Sequence, residues 1–280
     1  MPRASPPRSG LHPVEWLCEL VGTAVVLLVG ISAVCFDMAG SSPIGELPHT
    51  WRLLLTGLVF AGTGSLVAVS PLGRRSGAHL NPVVTLAFWT QRKVHWHDLA
   101  GYTAAQCVGA LLGTLVAHGL WQHTADTVSD GATSPGPGVQ DLAAVALEAG
   151  MTACLLLAIL FMTSHRRTAR FTPLLLWLLI AAFVWRLSAF TGTSMNPARS
   201  LGPALVAPDL GPYWIYIAGP LLGTAVAVGL FALARNADVL TTKLFHDPRY
   251  RSTMASTLPI AGANARDALT LRDGPRRALR

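Results

Sequence analysis

The chain has 280 residues, of which 51% are hydrophobic and only 12% are charged, and its formal net charge is +7. Charged residues make up about a quarter of a soluble domain, so this composition argues against a soluble enzyme, and the apolar content excludes disorder over most of the length. A basic chain can bind nucleic acid, but here the basic residues lie between and after apolar segments, which is typical of contact with a membrane surface. The four cysteines have no CxxC spacing, which excludes a disulfide framework and a zinc ribbon.

Six apolar stretches are long enough to cross a bilayer, for which a helix needs about 20 residues. In chain order they are Val14–Phe36, Leu53–Val69, Leu99–Leu120, Leu142–Phe161, Phe171–Phe190 and Tyr213–Ala234. Glu15 and Glu19 interrupt the first stretch and no small-residue cleavage pattern follows it, so we interpret it as a retained helix and not as a signal peptide. The sequence therefore predicts an all-α integral membrane protein in contact with the lipid bilayer.

The lysine and arginine residues are distributed unevenly between the two sides of these spans. All but three of the 21 lie on the side that carries both termini, and the exceptions are Arg52, Arg186 and Arg199. Because cytoplasmic loops are enriched in lysine and arginine, we expect both termini to be cytoplasmic and the protein to lie in the plasma membrane. The predicted organisation is a cytoplasmic N-terminal segment at 1–13, a membrane domain at 14–235 and a basic cytoplasmic tail at 236–280.

Two segments outside the spans lack the apolar pattern. The outer loop Gln122–Gln140 contains no lysine or arginine and ends in Pro135-Gly136-Pro137-Gly138, so we expect it to be flexible. The tail at 236–280 carries an excess of basic residues. We expect this tail to be solvated and disordered, and a specific partner site in it is the alternative.

The same motifs occur in the same order in the two halves of the chain. Glu19 in the first span corresponds to Glu148 in the fourth, and an Asn-Pro segment follows both the second and the fifth span. A small-xxx-small glycine pair lies in the third span and again in the sixth. Since each half contains three spans, the second half must lie inverted relative to the first. An inverted 3+3 repeat is a transport architecture, with the site near the midplane where the repeats meet.

The two Asn-Pro segments, Asn81–Thr90 and Asn196–Val206, are apolar but only about ten residues long, which reaches half the hydrocarbon core. Asparagine is a strong N-cap, and proline is favoured at the first helical position. One such segment would be an ordinary capped surface helix, but two at matched positions predict re-entrant half-helices that enter from opposite faces. Their N-termini would meet at the midplane, where the positive dipole ends oppose cations and protons.

The residues of these two boxes predict a passive pore for uncharged solutes. The asparagine amides would donate hydrogen bonds to a passing neutral oxygen, and no ionisable pair lies beside either box to bind a coupling ion, which argues against a secondary transporter. No nucleophile with a nearby base and no metal cluster is evident, which argues against a membrane enzyme. The candidate pore residues are Asn81, Pro82 and Val83 in the first box and Asn196, Pro197 and Ala198 in the second.

Charged residues near the boxes are candidates for further roles. An arginine in a membrane segment is costly and is a functional candidate, so we expect Arg199 to face the pore, to donate to solutes and to repel cations. For Arg186, near the outer end of the fifth span, we favour a snorkelling or vestibule position over a place in the pore lining. 

Two acids and a histidine are expected to support the re-entrant loops. We expect Glu19 and Glu148 to accept hydrogen bonds from the loop backbones, since those donors need partners in lipid, and a catalytic carboxylate pair is the alternative. His79 is expected to be a polar support of its loop. His95 and His97 lack the further ligands that a metal site needs, so we predict no metal site and no cofactor.

Two longer motifs carry a family resemblance, Ser76–Pro82 (Ser-Gly-Ala-His-Leu-Asn-Pro) and Met195–Ser200 (Met-Asn-Pro-Ala-Arg-Ser). Together they resemble the paired boxes of the aquaporin, or major intrinsic protein, family over about Val14–Arg235. The resemblance implies six spans plus two half-helices and a homotetramer with one pore per subunit. The placement of the basic residues between and after apolar segments predicts no nucleic-acid partner. Val83 stands where most of the family has alanine, and this variant resembles plant nodulin-like intrinsic proteins and some bacterial relatives. Glycerol facilitators carry an acidic residue after the box arginine. Here that residue is Ser200, so the chain differs from the glycerol facilitators.

The resemblance also implies a four-residue aromatic/arginine filter, placed by its distance from the box asparagines. Its positions are Ala61, Val184, Thr193 and Arg199. Water-selective members resemble one another in carrying phenylalanine and histidine at the first two positions, so small apolar residues there imply a wider opening. A shift of one residue would place Phe60 or Trp185 in the filter, but Gly62 matches the family's glycine after the filter residue and favours Ala61.

These features together predict a channel and not an enzyme. The expected cargo is small uncharged hydroxylated solutes, such as glycerol, urea, boric acid or arsenous acid, together with water, while ions and protons are excluded. A mainly water-selective aquaporin is the alternative.

Overall fold

The computed structural model describes residues 10–207, 210, 212–234, 237–250 and 253–258. These residues form α-helices and two short 3₁₀ helices, Ser129–Gly131 and Ala169–Phe171, and no β-strand, which confirms the all-α prediction. The α-helices, in chain order, are α1 Pro13–Met38, α2 His49–Val69, α3 Pro71–Ser76, α4 Pro82–Thr90, α5 Trp96–Trp121, α6 His123–Thr127, α7 Asp141–Thr163, α8 Thr172–Thr191, α9 Pro197–Val206 and α10 Ile215–Leu233.

The six predicted membrane spans are confirmed, with ends that differ by a few residues. They are α1, α2, α5, α7, α10, and α8 together with the 3₁₀ turn before it. The longest have 26 residues and the shortest has 19, and at about 1.5 Å per residue these lengths match a hydrocarbon core of about 30 Å. Large apolar side chains such as Leu66, Leu178 and Leu222 are exposed on the surface of the bundle, where lipid can solvate them.

The two predicted half-helices are confirmed as α4 and α9, and each begins at the proline of its box. The side-chain oxygen of Asn81 accepts a hydrogen bond from the backbone N–H of Val83, at 3.1 Å. That of Asn196 accepts from the backbone N–H groups of Ala198 and Arg199, at 3.1 and 3.3 Å. Each asparagine therefore caps its half-helix, because its side chain satisfies backbone donors that the first turn leaves free.

Close glycine contacts between helices repeat in the two halves. In the first half α5 lies against α1, and a Cβ added to Gly113 would come within 2.3 Å of the carbonyl oxygen of Ala24. In the second half α10 lies against α7, and a Cβ added to Gly223 would come within 2.4 Å of the carbonyl oxygen of Ala149. Backbone atoms cannot rotate aside as a side chain can, so these approaches require glycine. The matched contacts agree with the inverted repeat.

The outer loop between α5 and α7 is packed against the helices, contrary to the predicted flexible loop. It contains α6 and the 3₁₀ helix Ser129–Gly131, and it buries Asp130. Gly136 donates its backbone N–H to the carbonyl oxygen of Phe190, at 2.9 Å. A Cβ on Gly136 would lie 2.1 Å from the carbonyl oxygen of Ala189, so the glycine that suggested flexibility instead permits close contact with the end of α8.

The C-terminal residues 237–250 and 253–258 are packed against the end of the bundle near Thr163 and Lys93, which corrects the prediction of a solvated, disordered tail for this part. Val239, Leu244 and Met254 are buried. These apolar side chains lie among basic residues in the sequence. The net charge of the tail therefore gave no indication of the apolar surface that these side chains bury. Residues 1–9 of the predicted N-terminal segment, and 236, 251–252 and 259–280 of the predicted tail, lie outside the described residues.

Gly113→Val should destabilise the fold, because the added side chain would collide with the backbone of α1. Overpacking of this kind costs about 1–3 kcal/mol, so we expect a lower thermal-unfolding midpoint in detergent and a lower yield of folded protein. Gly119→Val is the matched control on the same helix, since a Cβ there meets no neighbouring atom within 4 Å. Equal midpoints for the two variants would contradict this account of the packing.

Candidate pore and selectivity filter

Two buried carboxylates hold the re-entrant loops that precede α4 and α9. Glu19 of α1 accepts hydrogen bonds from two successive backbone N–H groups of the first loop, at 3.0 and 2.7 Å. Glu148 of α7 accepts two from the second loop, also at 3.0 and 2.7 Å. Backbone donors at membrane depth need acceptors inside the protein, and this geometry supplies them. The donors belong to His79, Leu80, Ser194 and Met195.

The two loops have the same backbone conformation. Ala78 and Leu80 in the first loop, and Thr193 and Met195 in the second, have positive φ angles of 52–54°. This left-handed conformation is uncommon for residues other than glycine, and it persists only where the surroundings enforce it. Here the glutamate hydrogen bonds do so, and all four residues line one central cavity.

The two box asparagines join the loops to each other. Nδ2 of Asn81 donates to the carbonyl oxygen of Met195 at 2.9 Å, and Nδ2 of Asn196 donates to that of Leu80 at 2.8 Å. A side-chain amide has two N–H donors. One donor of each amide forms this bridge, and the second is the donor that each asparagine can offer to a molecule in the cavity, which both line.

His79 is buried and makes hydrogen-bonding contacts at both ring nitrogens. Its Nδ1 lies 3.0 Å from Oγ1 of Thr85, and its Nε2 donates to the carbonyl oxygen of Thr242 at 3.0 Å. The ring lies between those of Phe88 and Tyr102, with centroid distances of 5.0 and 5.1 Å. His79 thus connects the first re-entrant loop to the half-helix that follows it and to the C-terminal segment.

The structure brings all four predicted filter residues to the wall of one cavity, which has a volume of about 420 Å³. The filter residues on this wall are Ala61, Val184, Thr193 and Arg199. The remaining residues of the two boxes are not on it. Val83 and Ala198 are buried, so each asparagine reaches the cavity while the residue two positions after it packs into the protein.

Arg199 is the one permanently charged side chain among the described residues that line this cavity. Its Nη1 donates to the carbonyl oxygen of Gly131 in the outer loop, at 2.8 Å. Its guanidinium carbon lies 5.3 Å from the centroid of the Phe60 ring, within the range of a cation–π contact. The outer loop and α2 therefore fix the position of the arginine from two sides.

Sequence reasoning did not anticipate the contribution of the outer loop. The hydroxyl of Ser200 lies 2.7 Å from that of Thr133 in the loop and 2.5 Å from that of Ser194 in the second re-entrant loop. These hydroxyl groups connect the outer loop to the start of α9. The loop sequence gives no local signal for this role, because the contacts join residues far apart in the chain.

The filter assignment could be shifted by one residue in α2 and in α8, and the structure gives a different answer for each helix. In α2, both Phe60 and Ala61 line the cavity. In α8, Val184 lines it, whereas the Trp185 ring stacks on Trp51 with centroids 5.8 Å apart. Arg186 is exposed, with its guanidinium carbon 5.1 Å from the centroid of the Trp185 ring, and lies away from the cavity wall, as the sequence analysis favoured.

A cluster of potential metal ligands lies at the outer end of α5. It consists of His118, Asp126 and Asp130, and one ligand atom from each lies within 4.8 Å of the other two. No metal site was predicted from the sequence. Nδ1 of His118 lies 2.9 Å from the buried carboxylate of Asp130, whereas Asp126 is exposed. The contact between His118 and Asp130 joins α5 to the outer loop beside Gly131, which gives these two residues a structural role.

The chain is similar in sequence to known channel proteins. A profile of the family described as "Major intrinsic protein" matches residues 12–231. The probable aquaporin NIP7-1 of Arabidopsis thaliana is 32% identical over 212 residues, which cover 76% of this chain and 73% of that protein. The probable aquaporin AqpM of Archaeoglobus fulgidus is 33% identical over 234 residues, which cover 78% of this chain and 95% of that protein.

The fold is also similar to that of a solved channel. The X-ray structure of the aquaglyceroporin from Plasmodium falciparum aligns with a TM-score of 0.66 and 26% sequence identity, over 78% of this chain and 94% of that one. These matches confirm the resemblance inferred from the paired Asn-Pro boxes, and they identify a channel and not an enzyme. With a profile match that extends from α1 into α10, the chain belongs to the major intrinsic protein family.

Proposed function

We propose that this protein is a passive channel for small uncharged hydroxylated solutes and water, and that it excludes ions and protons. The composition of the cavity wall carries the proposal. Backbone groups of two loops and the Arg199 guanidinium provide polar contacts, while apolar side chains form most of the remainder. A neutral polyol, urea, boric acid or arsenous acid can use these contacts, whereas a cation would lose its water without a carboxylate on the described wall to replace it.

The filter positions favour a solute larger than water. Ala61 carries only a methyl group and Val184 only an isopropyl group, and both line the same cavity as Arg199. A solute hydroxyl can accept from Arg199 and donate to the backbone near Thr193, while the carbon frame of the solute contacts the apolar side chains. Pore diameter and the placement of donors and acceptors decide selectivity in such channels.

Exclusion of cations and protons is supported by the two half-helices. The asparagine bridge brings the N-terminal ends of α4 and α9 together, and each helix N-terminus is equivalent to about +0.5 of a charge. A cation at this point meets two positive ends and then Arg199. A water molecule that accepts hydrogen bonds from both asparagines is oriented with its own donors outward, which interrupts a chain of hydrogen bonds that could pass a proton.

The names of the similar proteins support water and glycerol as members of this range. Two of them are named aquaporins, and the solved structure is named an aquaglyceroporin, a name that combines water and glycerol. 

A mainly water-selective pore is the second candidate function, and Phe60 favours it. The Phe60 ring lines the cavity beside Arg199, at 5.3 Å from its guanidinium carbon. An aromatic ring at this place narrows the outer end even though Ala61 is small. The two candidates differ in the ratio of solute to water permeability.

We further propose that the channel is a homotetramer in the plasma membrane, with both termini in the cytoplasm. The lysine and arginine distribution supports the orientation, and the exposed apolar surfaces of the spans support contacts with lipid and with other copies.

Chemical cross-linking in native membranes should yield species up to the tetramer. A ladder that ends at another subunit number would contradict this assembly.

Ala61→Phe combined with Val184→His should narrow the filter and lower the ratio of glycerol to water permeability in proteoliposomes. We expect a decrease of at least about tenfold, for which an added barrier of about 1.4 kcal/mol suffices. Stopped-flow light scattering measures both permeabilities, and their ratio does not depend on the number of open pores. Ala182→Phe, at an exposed position of α8, is the control and should leave the ratio unchanged, and an unchanged ratio in the double variant would contradict the filter assignment.

Phe60→Ala separates the two candidate functions in the same assay. If the pore is already wide, the wild-type ratio is high and this variant changes it little. If Phe60 makes the pore water-selective, the wild-type ratio is close to zero and the variant raises it, because removal of the ring opens the outer end. The second result would replace the proposed solute range by the water-selective alternative.

Charge exclusion can be measured in voltage-clamped oocytes. Cells whose swelling rate shows that the channel is open should carry no proton or cation current above that of uninjected cells, because the two half-helix ends and Arg199 oppose positive charge. A current that increases with expression in step with the water permeability would contradict the electrostatic account.

A further inference from the structure

The C-terminal residues 237–250 and 253–258, here called the C-terminal plug, are joined to the cytoplasmic end of the bundle by backbone hydrogen bonds. Leu240 donates to the carbonyl oxygen of Thr163 at the end of α7, and Leu244 donates to that of Gly77 in the first re-entrant loop, both at 3.0 Å. Ala255 donates to that of Lys93, between α4 and α5, at 3.2 Å. The three acceptors belong to different elements, so the plug is attached to the bundle at separate points.

One residue of the plug lines the central cavity, and a second contacts a residue that lines it. The carbonyl oxygen of Thr242 accepts from His79, a cavity-lining residue of the first loop, at 3.0 Å. The side chain of Leu244 lines the same cavity as Asn81 and Arg199, and it is buried. Since all other described residues of the cavity wall belong to the membrane domain, Leu244 marks the point where the plug forms part of the cavity wall.

Charged groups hold the plug in this position. The Asp247 carboxylate pairs with Arg74 of α3 and with Arg249, each at 2.8 Å, and the hydrogen bonds from Arg249, followed by the charges of Arg249 and Arg74, hold the pKa of Asp247 well below its usual range. Asp238 pairs with the buried ammonium of Lys93 at 3.1 Å. Asp247 therefore stays ionised, and its pair with Arg74 persists throughout the physiological pH range.

One buried charge opposes docking. The Lys243 ammonium donates to the carbonyl oxygens of Arg74 and Tyr250, and its side chain is almost fully buried. Burial lowers the pKa of Lys243 to about 8, which shows that the protein disfavours the charged form here. The docked position thus combines favourable ion pairs with a buried lysine whose charged form burial disfavours.

We propose that the C-terminal plug closes the cytoplasmic mouth of the pore, and that the channel conducts when the plug leaves. The proposal rests on the proposed channel function, since it assigns a regulatory state to the same cavity. Release of the plug would remove Leu244 from the cavity and break the bond between Thr242 and His79. The membrane domain would keep its fold, because the helices, the glutamate bonds and the asparagine bridge do not involve the plug.

Truncation of the plug gives the direct test. A chain ending at residue 236 lacks the plug, and a chain ending at residue 258 keeps it and serves as the matched control. Reconstituted at equal protein density, the shorter chain should have a water permeability at least about tenfold above that of the full chain, because a minor open state has a population of at most about 10%. The chain ending at 258 should match the full chain.

A point variant of the full chain tests the same idea without removal of residues. Asp247→Asn breaks the pair with Arg74 and should raise the water permeability above that of the wild type. Asp141→Asn is the matched control, because it makes the same change at an exposed position of the opposite face and should have no effect. Size-exclusion profiles of both variants report whether the protein is folded.

The outcomes separate this proposal from the proposed function. Equal water permeability of the full chain and of the chain ending at 236 would overturn the plug, whatever solutes the pore conducts. An equal increase in the chain ending at 258 would also overturn it, because the effect would then belong to residues beyond the plug. If the chain ending at 236 conducts water faster but no glycerol, urea or boric acid, the plug is supported and the proposed solute range fails.

Discussion

The two re-entrant loops place backbone polar groups at membrane depth, and the need to satisfy these groups without water is the constraint on which the rest of the structure depends. Glu19 and Glu148 meet it with carboxylates that are themselves buried. A buried carboxylate is tolerated only when it is well hydrogen-bonded. Glu19 accepts a further bond from Gln106 at 2.9 Å, and Glu148 one from the hydroxyl of Thr191 at 2.8 Å. Each carboxylate thus stabilises its loop and is stabilised by it.

Helix packing determines where these carboxylates lie. A Cβ on Gly219 of α10 would come within 2.6 Å of the Cβ of Glu148, and a Cβ on Gly109 of α5 would come within 2.3 Å of the carbonyl oxygen of Leu20, the residue after Glu19. The glycines therefore allow α1 to lie close to α5, and α7 close to α10, at the level of the glutamates. Helix contact, loop support and the paired half-helix ends are consequences of one arrangement that occurs twice.

Local sequence rules anticipated the parts of the structure that depend on local physics. The spans follow from length and hydropathy, and the half-helices follow from the capping preference of Asn81 and Asn196. Repeat symmetry made loop support by Glu19 and Glu148 a reasonable expectation. The outer loop and the C-terminal plug were not predicted, because glycine, proline and basic residues are typical of flexible segments and the contacts that order Gly136 and Leu244 are with residues distant in sequence. The role of Phe60 depends on the rotation of α2 about its axis. The spacing from the box asparagine locates the filter position only to within one residue, so it does not fix this rotation.

The parts that escaped prediction are also those that break the twofold relation of the repeat. At the outer end, Thr133 of the outer loop contacts Ser200, and Gly131 accepts from Arg199. At the inner end, Thr242 and its neighbours in the C-terminal plug contact the first re-entrant loop. Two inverted halves alone would give a pore with equivalent ends. The added segments make the ends different, so that the proposed selection at Arg199 and the proposed closure by the plug would act at opposite mouths of the same cavity.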